Sequence, residues 1–472
     1  MYMKALLANI GFVMQISGIF IIIPIIVSFI LNEPTATIAL FLVAIAFLAF
    51  GFFLNALCER KELTYKQSCT LTVLVFILLS IIGAIPYIYI NAFQSDPIQN
   101  ITDGVFESAS GFTTTGFSVI PNLSAIPKSI LLYRGLTQFI GGIGIVLVLL
   151  AFFYPEVKLQ EFSRSMGLVK NQKIKKTFYL IISIYCTYLI IMIIAGVVFG
   201  YYNVVELASF VFSALSTGGF TPIADITTVA TQPPLNFILV ISMVLGAANF
   251  LVLAGLFKRK FKQFFRSEVF VFIIIAIISI IITTIFFSLS LSDSVFHVIS
   301  AMSTTGFSYL SAPQFTDGLK LFFILLMFIG GASLSTAGGI KIYRFILILK
   351  SVRKAIVENI TQREVRVKLF GKEYSNSEII QAMILVFLFV GIIFVSSFIV
   401  SLHSGFRPID SVFETTSAIA TTGLSVGVVS PTLAIELKWL FILLMLLGRV
   451  EVFAFLIMFS RKKETLPEAP RV

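Results

Sequence analysis

The sequence predicts an all-α integral membrane protein with ten transmembrane helices plus four short re-entrant helices. These form four helix, re-entrant loop, helix repeats around a pseudo-fourfold axis. Three observations lead there. Of 472 residues, 58% are hydrophobic and 12% charged, about half the roughly 25% charge of an average soluble domain. Ten apolar runs approach the roughly 20 residues that span hydrocarbon as a helix. A Ser/Thr/Gly nonapeptide recurs four times, each copy between two of those runs.

Lys4 precedes a run, Ala5 to Leu31, that is longer than a signal-peptide core and has no small-residue cleavage site, so it reads as a first spanning helix. The further long spans are Ala36 to Leu57, Cys69 to Ala92, Ile130 to Phe153, Phe178 to Tyr201, Leu235 to Phe257, Val269 to Leu291, Leu319 to Leu349, Ile380 to Leu402 and Leu437 to Phe459. Four short segments, Asp103 to Thr114, Glu206 to Thr217, Asp293 to Thr304 and Asp410 to Thr421, are too short to cross. The chain divides into two leading helices (1–67) and repeats at 68–175, 176–266, 267–376 and 377–472.

Ten crossings put both termini on one side. Lys4 and the loops Glu59 to Gln67, Tyr154 to Thr177, Lys258 to Glu268, Lys341 to Glu378 and Ser460 to Val472 carry 28 Lys+Arg against 11 Asp+Glu, whereas the other side carries 5 against 11. Positive charge stays inside, so the termini are expected in the cytoplasm and the chain in the cytoplasmic (inner) membrane. The net charge of +11 therefore follows from membrane topology, and no nucleic-acid partner is expected. Cys58, Cys69 and Cys186 are widely spaced and read as buried thiols.

The nonapeptides align without gaps: Ser110-Gly-Phe-Thr-Thr-Thr-Gly-Phe-Ser118, Ser213-Ala-Leu-Ser-Thr-Gly-Gly-Phe-Thr221, Ser300-Ala-Met-Ser-Thr-Thr-Gly-Phe-Ser308 and Ser417-Ala-Ile-Ala-Thr-Thr-Gly-Leu-Ser425. Thirteen residues before each repeat glycine stands an acid, Asp103, Glu206, Asp293 or Asp410, and Glu107 and Glu414 add a second acid nine residues before. An acid suits the positive end of a helix, so the first four are expected to cap the short helices on the outer side.

Irregular backbone at membrane depth survives only when buried in protein or lining a wet cavity. Four such segments meeting on an axis would line a pore. Glycine tolerates the backbone angles that turn a carbonyl inward, and rings of carbonyls replace the water shell of a potassium ion. The bland alternative is a set of outer turns or small-residue helix contacts. Four gapless copies, each after a short helix, favour the ring. The expected ion-binding residues are Thr114-Thr115-Gly116, Thr217-Gly218-Gly219, Thr304-Thr305-Gly306 and Thr421-Thr422-Gly423.

With these motifs the chain resembles the Trk/Ktr/HKT superfamily of potassium transporters, specifically the bacterial Trk-type membrane subunit. The likeness covers nearly the whole chain, including the two leading helices. It implies potassium as substrate, with Gly116 holding a place where serine goes with sodium permeation. It also implies a homodimer in the membrane lipid, a cytosolic nucleotide-binding regulatory subunit, and no cofactor on this chain.

Two features fit that resemblance as a gate. The eighth span is interrupted by Gly330-Gly331-Ala-Ser-Leu-Ser335-Thr336-Ala-Gly338-Gly339, a stretch too rich in Gly, Ser and Thr for a straight helix. At about 1.5 Å per residue it falls near mid-membrane, below the filter; a tolerated kink is the alternative. Arg449 lies at similar depth in the last span, where a charge faces a partner or a wet cavity. The resemblance implies that it faces the pore; a structural ion pair is the alternative. Glu451, two residues on, points elsewhere.

His297 and His403 are too few for a catalytic or metal cluster, and Gly141-Gly-Ile-Gly144 reads as helix packing. Trp439 reads as an interfacial anchor. The loop 341–378 places Lys372 and Glu373 in a polar turn and suits either a lipid-facing surface or a docking site. A gated potassium pore is the leading function. A sodium- or proton-coupled transporter using broken helices is the alternative, and an enzyme is not expected because no catalytic constellation appears.

Overall fold

The computed structural model describes residues 2–58, 63, 65–148, 174–257, 264–310, 315–362 and 364–459. Most of the charge-bearing loop residues at 59–67, 154–177, 258–268 and 460–472 lie outside this set, so the charge count over those loops is not matched by described backbone.

The leading segment is α1 (Tyr2–Phe20) and α2 (Ile22–Ile30), followed by α3 (Pro34–Leu57). Gly11 and Gly51 face each other across α1 and α3, where any Cβ would strike backbone. The four quarters follow. The first is α4 (Tyr65–Ile82) with α5 (Ile85–Tyr89), the short helix α6 (Pro97–Phe112) and α7 (Lys128–Val148). The second is α8 (Ile174–Val198), the short α9 (Val204–Leu215), a single turn α10 (Thr227–Thr231), and α11 (Pro233–Ala247) with α12 (Phe250–Phe257). The third is α13 (Glu268–Phe286), the short α14 (Leu291–Met302), and α15 (Asp317–Ile329) with α16 (Ile342–Thr361). The fourth is α17 (Asn376–Ser404), the short α18 (Pro408–Ile419), and α19 (Ile435–Val450) with α20 (Val452–Met458).

Among the described residues, six helical stretches are long and apolar enough to cross a membrane, or seven if the pair α19 and α20, bent by 97°, is one span. Three of the four spans missing from the expected ten are broken, and the fourth, α7, is described only to Val148. The second long helix of quarters two, three and four is interrupted, at Ala248–Asn249, at 330–341 and at Glu451. The long helices that do pass are only 28–61% buried, as lipid-facing helices are.

The quarters pack in a cycle. The second helix of each quarter lies on the short helix of the next: α7 on α9, α11 on α14, α15 on α18, and α19 back on α6. Glycines allow the close approach within a quarter. A Cβ on Gly141, Gly246 or Gly448 would strike the last carbonyl of the short helix, at Phe112, Leu215 or Ile419. The helix-packing reading of Gly141 holds for that reason, and Gly142 packs on Ser216.

Three expectations need correction. The acids are not caps. The side chains of Asn203 and Ser290 cap α9 and α14, accepting the amides of Glu206 and Asp293, which sit in the first turn. Asp410 is likewise in the first turn of α18, behind Arg407 and Pro408. Helix α6 starts six residues earlier than Asp103, at Pro97, whose fixed φ suits a first helical turn. Second, the chain is not purely helical: β1 (Val367–Leu369) and β2 (Lys372–Tyr374) form an antiparallel hairpin. Lys372 and Glu373 belong to its second strand, and the turn is Phe370-Gly371, both at positive φ. Third, of the free cysteines only Cys69 is buried; Cys58 and Cys186 are partly exposed.

Candidate functional site: a four-part ring and the loop beneath it

Each short helix ends in the same way. The amides of Thr114, Thr217, Thr304 and Thr421 donate to carbonyls three residues back. The amides of Thr115, Gly218, Thr305 and Thr422 donate five back, to Ser110, Ser213, Ser300 and Ser417, at 2.8–2.9 Å. This double closure is a Schellman termination, which needs a left-handed residue in the penultimate place. Threonine fills it four times, at φ 53°, 53°, 56° and 50°. A β-branched residue there is strained and persists only where its surroundings over-determine it. Two residues on, Gly116, Gly219, Gly306 and Gly423 are again left-handed, at φ 94°, 81°, 86° and 80°.

These four glycines form a closed ring. A Cβ on Gly116 would strike the Gly218 carbonyl oxygen, one on Gly219 that of Thr305, one on Gly306 that of Thr422, and one on Gly423 that of Thr115. Each quarter's glycine thus touches the residue before the next quarter's glycine, and the fourth returns to the first. The threonines of the four tripeptides are buried, while the ring glycines keep partial exposure.

The segment 330–341 lies against the inner ends of these turns. Gly330 and Gly339, at φ 70° and 71°, pack on each other where the chain leaves and re-enters the helical path. The Gly338 amide donates to Thr304 Oγ1 at 2.6 Å, Thr217 Oγ1 lies 3.3 Å from Thr336 Oγ1, and a Cβ on Gly338 would meet Thr421 Oγ1 and the Ala420 carbonyl. Three of the four left-handed threonines therefore touch the loop. The Thr336 hydroxyl reaches the carbonyls of Leu215 (3.0 Å) and Gly246 (2.9 Å). Ser335 bonds within the loop, to the Ala332 carbonyl, and the Gly331 carbonyl accepts from Ile342. Glu268 holds the loop from the other side, accepting the Ser333 amide at 2.6 Å.

Arg449 is 5% exposed and has no carboxylate partner among the described residues. It donates to the Thr336 carbonyl of the loop and the Gly141 carbonyl of the first quarter, each at 2.8 Å. Its Nε has no acceptor among the described residues. Glu451 instead pairs with Arg344 at 2.8 Å, from the turn between α19 and α20. Among the described residues Arg449 is therefore held by backbone carbonyls rather than by an ion pair.

On the opposite side of the ring, three of the four acids join neighbouring quarters. Lys128 meets Glu206 (3.5 Å), Lys320 meets Asp410 (2.6 Å), and Lys438 meets Asp103 (2.5 Å). The last pair is fully buried and closes the cycle from the fourth quarter to the first. Sequence reasoning missed these lysines, Glu268 and Gln138; the lysines were legible in principle, because Lys320 and Lys438 each stand ten residues before a glycine, Gly330 and Gly448, of their helices.

Helix, short helix, irregular turn and helix, repeated in a closed cycle around convergent glycines, define a polytopic membrane protein built around a central four-part ring. The TrkH family profile, described as "Cation transport protein", matches residues 36–270 and 266–466, and the chain belongs to that family, whose members are transporters, not enzymes. An uncharacterised cation transporter of Methanocaldococcus jannaschii is 32% identical over 97% of this chain and 95% of its own. The Trk system potassium uptake protein TrkH of Salmonella typhimurium is 27% identical over 85% and 86%. The crystal structure of the potassium transporter TrkH from Vibrio parahaemolyticus shares the fold, with a TM-score of 0.83 over 98% of this chain and 99% of that one at 21% identity.

Proposed function

We propose that the protein takes up potassium across the cytoplasmic membrane through a selective, gated pore, with ten spanning and four re-entrant helices and both termini in the cytoplasm. The observation that carries this reading is the closed cycle of Gly116, Gly219, Gly306 and Gly423 on their neighbours' carbonyls. Alternation of left-handed and ordinary residues turns successive carbonyls to one side of a strand. Four such strands offer the oxygens that replace an alkali cation's hydration shell. The C-terminal ends of four short helices add partial negative charge. The relatives named as potassium uptake proteins support the choice of ion.

In this reading Thr114 to Gly116, Thr217 to Gly219, Thr304 to Gly306 and Thr421 to Gly423 are the filter, and the loop 330–339 with Arg449 is the gate. The loop lies against the inner threonines, and a fixed guanidinium beside the path opposes cation passage until it moves. A homodimer served by a cytosolic nucleotide-binding subunit remains part of the proposal, as does the absence of a cofactor on this chain.

The test is rubidium uptake into vesicles holding the purified protein, driven by a potassium gradient with no sodium or proton gradient. Uptake under those conditions supports a pore. A strict requirement for a second ion gradient would instead support the coupled transporter, for which the broken helices are the best argument.

A further inference from the structure

The irregular strands that leave the ring carry amides with no ladder to join, and buried amides need acceptors. Nine residues before each ring glycine the short helices carry Glu107, Phe210, His297 and Glu414. Three of these do one job. Glu107 Oε2 accepts the Val119 amide at 3.1 Å, His297 Nε2 the Tyr309 amide at 3.3 Å, and Glu414 Oε1 the Val426 amide at 3.0 Å. In every case the amide belongs to the residue three after the ring glycine. Glu107 and Glu414 also take the hydroxyl two after it, from Ser118 (3.0 Å) and Ser425 (2.5 Å). Glu414 adds the Val428 amide at 3.0 Å. His297 donates from Nδ1 to the Asp293 carbonyl at 2.8 Å, which leaves Nε2 free to accept. All three side chains are fully buried.

Phe210 cannot accept. In the second quarter the work passes to the first quarter's α7. Gln138 Oε1 accepts the Phe220 amide at 3.1 Å, and its Nε2 donates to the Gly218 carbonyl at 2.6 Å. Arg134, paired with Glu107 at 2.6 Å, donates to the Thr221 carbonyl at 3.0 Å.

We propose that Glu107, His297, Glu414 and Gln138 are positioning residues for ion discrimination: the first three each clamp the outer end of one ring strand, Gln138 braces the second strand on both sides of Gly219, and the Schellman turn already fixes the inner end of each. A ring that selects among alkali cations must hold its oxygens in place, and a strand fixed at one end only is free to relax around a smaller ion. Glu414 also has one buried oxygen, Oε2, with no hydrogen-bond partner among the described residues. Its amide analogue keeps the accepting oxygen, so Gln should serve in its place.

This inference rests on the filter reading, and one experiment separates the two. Purified full-length protein in vesicles is assayed for rubidium and sodium uptake, with the unfolding midpoint in detergent measured beside it. The variants are Glu414→Met, Glu414→Gln and His297→Phe, the last carrying what the second quarter already has at that place. The expected result is a rubidium-to-sodium ratio lowered about tenfold in Glu414→Met and His297→Phe, the scale of one buried hydrogen bond, and kept by Glu414→Gln. Folded Met and Phe variants with the wild-type ratio would overturn the inference, as would loss of folding in both, which assigns these residues to stability alone. A wild-type protein that does not discriminate would instead sink the filter reading itself.

Discussion

Threonine in the left-handed region, four times in equivalent places, is where side-chain identity and backbone strain meet in this molecule. The repeat made the ring glycines legible, because a spaced, gapless Thr-Gly pattern has few uses inside a membrane. The strain at Thr114, Thr217, Thr304 and Thr421 was not legible, since nothing in composition marks a β-branched residue for positive φ. Replacing Gly116 with Ser puts a side chain against the Gly218 carbonyl oxygen. Sodium uptake measured in vesicles should rise relative to rubidium; an unchanged ratio would remove Gly116 from the filter. Arg449 was legible as an anomaly, but its partners are carbonyls of the distant 330–341 loop and of α7, which no local pattern encodes. Arg449→Ala should raise rubidium flux several-fold with no loss of selectivity. Equal flux in the two proteins would argue that the guanidinium is only a clamp.

At the scale of elements, hydropathy made the six unbroken spans legible and the breaks less so. Only the Gly- and Ser-rich break at 330–341 announced itself; the bend at Glu451, a charged residue at φ 66°, did not. The caps were misplaced because an acid in the first turn and an acid at the cap suit the same dipole, and Asn203 and Ser290 do the capping. Asp103 shows what the acids do instead. Its partner Lys438 lies on the other side of the chain's sequence, so the pair welds the last quarter to the first. Lys438→Met leaves a buried carboxylate unpaired and should cost about 3–5 kcal/mol of stability, whereas the double variant Lys438→Met, Asp103→Leu should recover most of it. Thermal unfolding in detergent reads both, and equal losses in the single and double variants would contradict the weld. The loop makes its own prediction. Gly338→Ala pushes a methyl group toward Thr421 Oγ1 and the Ala420 carbonyl, so the loop should seat less well and rubidium flux should rise. A Gly338→Ala protein with wild-type flux would place the barrier elsewhere.

For the whole molecule, the cycle of quarters explains why the repeat had to be fourfold. Each quarter's second helix supplies the surface for the next quarter's short helix, and each ring glycine leaves room for the next quarter's carbonyl, so three quarters would leave an open edge at membrane depth. The sequence carried the number and order of quarters through the nonapeptides. It could not carry the contacts between them, because Gly423 meets Thr115 across 308 positions of chain. In the filter reading, an alkali cation stripped of water sits on the axis of this ring. Anomalous X-ray scattering from crystals grown in rubidium tests it most directly. The expected result is a rubidium peak enclosed by the carbonyl oxygens of Thr115, Gly218, Thr305 and Thr422; rubidium bound only elsewhere, with the ring empty or filled by ordered water, would refute the filter.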